Sequence, residues 1–349
     1  MGSTIVGIDI GSRSVRAVEV QGAAKARPVI TRYHEVALPE DSVRRGEVLE
    51  ISTVADALKT LWATGKFKSR NVVLGMGGQR VFARDLIVPR APLKQIRESL
   101  PFLVQDLLPV PVDNAILDFY PISEGSSSEG PIVNGLLIAA IKDAVNQNVN
   151  AVVKANLNPV HVDLIPFALT RALAPSSSST SLTVLIGVGA DTTNVIISQG
   201  GVPLFVRILP AGGDDITRAM STTLQIDLAH AEALKRQLGL GSADVPMEHR
   251  PAVEVIYAVV GELFNSIRNT LNYFLSTKRD TRLDQVLVTG GGTQLAGFNP
   301  ALSEMIGLPV AQAEPLGGAQ MSKAVLSGTT PQQKDAMSTA FGLALGTRA

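Results

Sequence analysis

Along the first twenty residues, apolar and polar positions alternate around a short glycine-bearing break, IVGIDIGSRSVRAVEV (Ile5–Val20). A period of two on both sides of Gly11 predicts strand, tight turn, strand. The pattern returns at TVLIGVGADTTNVIISQGG (Thr183–Gly201), where Gly189 falls on Gly11 and Thr192 on Ser14. Two halves that each open with such a hairpin predict a bilobed α/β molecule with a cleft between its lobes.

The intervening pattern fills in the first half. A helix is expected over Thr53–Trp62, capped by Ser52 or Thr53, with strands at Asn71–Leu74 and Arg80–Val88. From Lys94 to Leu108, residues Ile96, Leu100, Leu103, Val104, Leu107 and Leu108 share one helical stripe, which Pro101 should kink or split. Phe102 falls on the opposite face, roughly 200° from the stripe centre. Strands at Ala115–Ile122 and Ile132–Ile141, joined by a flexible EGSSSEG loop, precede a helix after Asp143. About Arg84 to Asp163 thus reads as a small α/β unit inserted into something larger. The Ser-rich PSSSST (Pro175–Thr180) marks the boundary between halves.

In the second half, the helix Pro251–Thr277 aligns Val253, Ile256, Tyr257, Val260, Phe264, Ile267, Leu271 and Phe274 as a core face. LDQVLVTGGGTQLAGFNPALSEMIGLPV (Leu283–Val310) then runs a strand into a triple-glycine turn and a helix.

Composition narrows the chemistry. With 45% hydrophobic residues in 349, the chain can build two cores. Its 31 basic and 31 acidic residues cancel, so the basic surplus of a backbone-gripping nucleic-acid binder is missing. The absence of cysteine excludes disulfides and thiolate sites, and the four histidines (His34, His161, His230, His249) make no metal-ligand pair. The N-terminus has no secretory signature, and the longest apolar runs, such as Gly135–Ile141, are too short to cross a bilayer. A soluble protein that inserts directly into no membrane is expected.

Three Gly-rich turns, each ending a strand, carry the functional signal. Glycine lets the backbone approach a ligand closely and turn its N–H groups into an anion-binding nest. DIGSRSVR (Asp9–Arg16), GVGADTT (Gly187–Thr193), AEALK (Ala231–Lys235) and TGGGTQLAG (Thr289–Gly297) resemble the phosphate, connecting and adenosine motifs of the actin, heat-shock-70 and sugar-kinase superfamily. Within it, LPFLVQDLLPVPVDNAILDFYPI (Leu100–Ile122) and LNPVHVDLIPFALTRAL (Leu157–Leu173) are similar to the type IV pilus assembly PilM family, relatives of the cell-division protein FtsA.

That resemblance implies an actin-like (ribonuclease-H-like, duplicated) bilobed α/β fold. The first lobe would hold residues 1–83 and 164–180, with a helix at 336–349 returning to it; the inserted subdomain 84–163; and the second lobe 181–335. It implies ATP and Mg²⁺ as cofactors. Asp9 would hold the metal through water, while Gly11, Ser12, Arg13, Ser14 and Arg16 on one lobe and Gly189, Thr192 and Thr193 on the other would cradle phosphates. Glu232 and Lys235, on their own an ordinary i,i+3 ion pair, would meet the ribose and base. Gly290, Gly291 and Gly292 would make room for adenosine.

Two residues depart from the family pattern: Gly187 stands where an Asp is usual, and Arg16 where Lys is usual. Loss of the Asp predicts weak or absent hydrolysis, because it empties a metal-holding and water-orienting slot. The implied function is a cytoplasmic scaffold of type IV pilus assembly, peripheral to the inner membrane face. Its partners would be the N-terminal cytoplasmic tail of a PilN-like inner-membrane protein and other assembly components. The tail would lie in a groove between the inserted unit and the first lobe, involving Arg84, Phe102, Gln105 and Asp106. The alternatives are an active ATPase or small-molecule kinase, with Asp191 as its nearest acidic residue, and an FtsA-like polymerising division protein.

Overall fold

The computed structural model describes residues 4–173, 181–241, 246–278, 281–314, 316 and 319–346. The boundary expected at Pro175–Thr180 lies outside them. The first lobe starts with β1 (Thr4–Ile10), β2 (Ser14–Gln21) and β3 (Val29–Ala37), an antiparallel meander. A small hairpin, β4 (Val43–Arg44) and β5 (Glu47–Val48), leads into α1 (Ile51–Gly65) and β6 (Asn71–Met76). Arg45 (φ 49°) and Gly46 (φ 78°) form the two-residue tip of that hairpin, the conformation its tight turn requires.

The inserted unit follows as β7 (Val81–Pro89), α2 (Leu93–Leu103), β8 (Ala115–Ser127) and β9 (Gly130–Ile141). Its antiparallel sheet has the order β7-β9-β8, and α2 lays Ile96 and Leu100 on Val88, Phe119, Val133 and Leu137. Next come α3 (Lys142–Lys154), β10 (Asn158–Leu164) and α4 (Ile165–Leu173).

The second lobe comprises β11 (Leu182–Val188), β12 (Thr193–Gln199), β13 (Val202–Leu209), α5 (Gly213–Leu224), α6 (Leu228–Leu238), α7 (Arg250–Thr277), β14 (Leu283–Thr289), α8 (Phe298–Ile306) and β15 (Val310–Gln312). Its sheet order is β13-β12-β11-β14-β15. The chain then returns through β16 (Gln320–Met321), α9 (Lys323–Gly328), α10 (Pro331–Ala336) and α11 (Ser338–Leu345). β16 pairs with β3, completing a first-lobe sheet of order β10-β6-β1-β2-β3-β16.

Burial follows the strand period of two. Val6, Ile8 and Ile10 of β1 face α1 and α3, where Val54, Leu58, Leu61, Ala151 and Val152 close one core. Gly7, on the opposite face, lies under α11: a Cβ there would stand 1.9 Å from the Ala340 carbonyl oxygen. In the second lobe Val184, Ile186 and Val188 share a core with Ile256, Phe264 and Phe274 of α7. The other face of that sheet supplies Leu185 and Ile196 to a core shared with Leu169 of α4 and Phe341 of α11, which seats the lobes on one another.

Several expectations need correction. The inserted sheet closes at Ile141; α3 and β10, expected within the insert, belong to the first lobe, because Ala151 and Val152 fill its core and β10 extends its sheet. The EGSSSEG stretch is strand rather than flexible loop. β8 and β9 run to a two-residue turn that the Ser127 hydroxyl braces, accepting from Glu129 N–H and donating to Gly130 O. The helix expected to reach Leu108 stops at Leu103, past Pro101, and a 3₁₀ turn takes over at Gln105–Leu107. Leu103 and Leu107 thereby leave the buried stripe and are 47% and 38% exposed. α1 begins at Ile51 after Glu50; Thr53 donates to the Glu50 carboxylate instead of capping. Tyr257, expected in the core face of α7, is half exposed.

Candidate functional site

The cleft between the lobes encloses a cavity of about 670 Å³. It is walled by the two Gly hairpins, the third Gly turn and the start of α5. The hairpins are built alike: Gly11 N–H donates to Ser14 O at 3.0 Å, and Gly189 N–H to Thr192 O at 2.8 Å. The repeat in the sequence is a repeat in hydrogen bonding.

Asp9, Gly11, Ser12, Arg13, Ser14, Arg16, Gly189, Thr192, Glu232, Lys235 and Gly290–Gly292 all line the cavity. Thr193 does not. Its side chain is fully buried and its hydroxyl donates to Ala211 O, because strand alternation turns it toward the second lobe's interior.

Within the cavity, charges are paired across short distances. Arg13 reaches over the cleft from the first hairpin, its Nε 2.6 Å from Asp214 and Nη2 3.2 Å from Glu232. A second crossing joins the Arg45 N–H to the Asp191 carboxylate. Arg16 lies between Glu35 (Nε, 2.9 Å) and Asp9 (Nη1, 3.4 Å). The Ser14 hydroxyl donates to Glu35 at 2.6 Å. Burial pushes the Asp9 carboxyl above its ordinary value despite the opposing pull of Arg16.

Glu232 and Lys235 form more than a surface pair. The Lys235 ammonium is buried and donates to Gly213 O, Thr217 Oγ1 and Glu232, at 3.0, 2.9 and 2.7 Å. Burial would raise the Glu232 carboxyl, but hydrogen bonds from Lys235, Thr217 and Arg236 hold it down at about 2.

The third turn packs against the end of β11. A Cβ at Gly290 (φ 95°) would lie 2.4 Å from Val188 O, and one at Gly292 2.4 Å from Val188 Cγ1. Asp335 of α10, itself buried, accepts from Thr289 Oγ1 and from Gly290 N–H, so this N–H is engaged within the protein. At Gly187 an added Cβ would come 3.0 Å from Leu169 Cδ1.

Sequence reasoning missed Glu35, Asn194, Asp214 and Asp335. Glu35 was findable, since alternation in β3 places it beside Arg16 once the meander register is known. Asn194 stands opposite Gly187 on β12, its Oδ1 buried without a protein partner among the described residues, as are Ser12 Oγ and Ser338 Oγ. All three residues line the cavity. Nothing local marks Asp335, which arrives from α10.

On the inserted unit Phe102 is 78% exposed, as its helical position implies, and Gln105 and Asp106 are exposed beside it in sequence. Arg84 donates through Nη1 to Leu107 O at 3.0 Å, tying β7 to the turn that follows α2. The exposed Ile87, Leu103 and Leu107 add apolar surface to the same unit.

Comparison with known proteins agrees with this architecture. A solved structure described as the PilM-PilN type IV pilus biogenesis complex superposes with a TM-score of 0.84 at 25% identity, covering 99% of this chain and 98% of that one. MreB5 of Spiroplasma citri bound to AMPPNP shares the fold, at 11% identity, TM-score 0.55, and 97% and 94% coverage. Cell division protein FtsA of Bacillus subtilis (strain 168) is 21% identical over 67% of this chain, and the match spans 58% of FtsA's length. The fold is actin-like. Because the profile described as type IV pilus assembly protein PilM matches residues 7–348, the chain belongs to that family.

Proposed function

We propose that this chain is a nucleotide-binding scaffold of type IV pilus assembly that holds ATP–Mg²⁺ in its cleft and captures the cytoplasmic N-terminal tail of a PilN-like membrane protein. The observation that carries the reading is the near-complete superposition on a PilM bound to PilN. No helix among the described residues is long and apolar enough to cross a membrane, so attachment through a partner suits the chain.

The cleft residues fit a polyphosphate and its cation. Two glycine hairpins face one another, unpartnered Ser12 and Asn194 atoms line the space between them, and Asp9 presents a carboxylate whose one contact from Arg16 is long. Mg²⁺, when bound, would screen phosphate charge. Asp9 would hold it, the hairpin N–H groups would orient the phosphates, and Glu232 with Lys235 would meet the ribose and base. Turnover is weak in this reading because Gly187 offers no side chain, and Leu169 fills the neighbouring space. The kinase alternative loses its acidic candidate, since Asp191 is buried and accepts from Arg45 N–H.

Calorimetry with ATP–Mg²⁺ and with the partner's tail peptide tests both halves. The wild type should bind each, and Phe102→Ala should weaken the peptide while leaving ATP binding and the thermal midpoint unchanged. Normal peptide capture by that variant would move the groove elsewhere.

A further inference from the structure

Register places three charged residues side by side across the central strands. Asp9 of β1 pairs with Arg16 of β2, and Arg16 pairs with Glu35 of β3. One guanidinium thus serves two carboxylates, unequally: 2.9 Å to Glu35 and 3.4 Å to Asp9. Glu35 is the better anchored of the two. Its Oε1 accepts from Ser14 as well as Arg16, and its Oε2 accepts from the Tyr33 hydroxyl at 3.0 Å. Among the described residues, Asp9 accepts one side-chain hydrogen bond, the long one from Arg16.

We propose that Glu35 is a positioning residue that draws Arg16 to itself and so leaves the Asp9 carboxylate open to a divalent cation carried by a polyphosphate; this rests on the nucleotide reading above. A guanidinium and a metal ion compete for the same carboxylate oxygens. Without the Glu35 charge, Arg16 is free to turn fully onto Asp9 and make a short charge-assisted pair, which the cation must then displace. With Glu35 in place, the row of two carboxylates and one guanidinium keeps a net negative charge at the cleft wall, favourable to a cation. Glu35 also borders a second cavity, of about 430 Å³, between β3 and α9.

The test is ATP affinity by calorimetry, with Mg²⁺ and with EDTA, in wild type, Glu35→Gln, Arg16→Met and the double variant. Gln removes the charge and keeps one acceptor oxygen for Ser14, while its amide NH2 faces the Tyr33 hydroxyl, which can accept from it. In Glu35→Gln the enhancement of ATP affinity by Mg²⁺ should fall about tenfold, the order expected of one charge-assisted hydrogen bond. ATP affinity in EDTA should hold or tighten. In Arg16→Met the enhancement should survive, and adding Glu35→Gln to it should change the enhancement less than about twofold, because no guanidinium remains to collapse on Asp9. An unchanged enhancement in Glu35→Gln overturns the proposal, as does an equal loss in both backgrounds. Wild type that binds ATP neither with nor without Mg²⁺ instead overturns the nucleotide reading on which it stands. Should Glu35→Gln fail to fold, Glu35→Asp retracts the same charge by one methylene and should give an intermediate loss; full wild-type enhancement there counts against the role.

Discussion

Replacing Arg13 by alanine should loosen the joint between the lobes. The guanidinium crosses the cleft to two acids, and the two are left in different states without it. Glu232 keeps Lys235 at 2.7 Å, Thr217 at 2.6 Å and Arg236 at 2.8 Å. Among the described residues, Asp214 keeps only the more distant Arg218 as an ion-pair partner, at 3.7 Å, while its side chain is 11% exposed. The cost therefore falls on Asp214. A half-exposed ion pair contributes about 0.2–1 kcal/mol, and stranding a mostly buried acceptor adds about 1–3 kcal/mol before water reaches it. About 1–2 kcal/mol of lobe–lobe joining is a fair expectation, equivalent to a fivefold to thirtyfold shift toward an open cleft. The absence of native cysteine makes the assay direct: a cysteine at Lys59 on the first lobe and one at Asn269 on the second carry a dye pair. Single-molecule energy transfer on Arg13→Ala should show a longer, broader distance distribution, with a larger radius of gyration in X-ray scattering. Added salt should move wild type the same way, since the pair is partly screened. Superimposable distributions for variant and wild type at low salt would refute the reasoning.

Other expectations follow from single contacts. Gly342→Ala should lower stability by about 3 kcal/mol or more in denaturant titration, because its Cβ would fall 1.9 Å from the Ala168 carbonyl oxygen where α11 crosses α4; a cost under about 1 kcal/mol would mean that the helices part easily. Glu232, with its carboxyl held at about 2 against an ordinary 4.5, contributes stability that is fully present above pH 4.5 and lost as pH falls toward 2. Glu232→Gln should therefore flatten stability against pH within that window, by on the order of 1–2 kcal/mol after solvent screening, and an unaltered slope would disprove the linkage. Gly187→Asp should raise ATP turnover above the wild-type background, since the flexible end of Leu169 can give way to the new side chain; turnover that stays at background shows that another group is limiting.

The sequence was most legible where one residue's chemistry sufficed. Gly11 and Gly189 announce their hairpins because the turns need them, and the matching Gly N–H to Ser14 and Thr192 carbonyl bonds follow from that repeat. Helical rotation likewise placed Phe102 on an exposed face, since Pro101 falls too late in α2 to disturb it. What stayed hidden depends on partners far along the chain. Ser14 and Arg16 read as phosphate ligands until β3 brings Glu35 alongside. Arg13 reads as one more phosphate ligand until Asp214 and Glu232 meet it across the cleft. Thr193 was misjudged because proximity to a glycine turn says nothing about which side of the strand a residue occupies. The insert's limits were misplaced because α3 looks alike in either setting; only Ala151 and Val152 in the first-lobe core decide between them.

The fit of Gly7 beneath α11 has a consequence for how the chain is made. β1 ends at Ile10, and the helix that covers one of its faces begins at Ser338, so the strand leaves the ribosome long before its cover. At about 5–20 residues per second, the strand waits roughly 15–65 s for that cover. The second lobe, whose core is drawn from residues 182–302, is complete before then. The later-numbered lobe is therefore expected to fold first, with the earlier one held open, its apolar strands available to chaperones or to neighbouring nascent chains until α11 arrives. Pulse-labelled hydrogen exchange on stalled nascent chains should show β11 and β12 protected while β1 still exchanges.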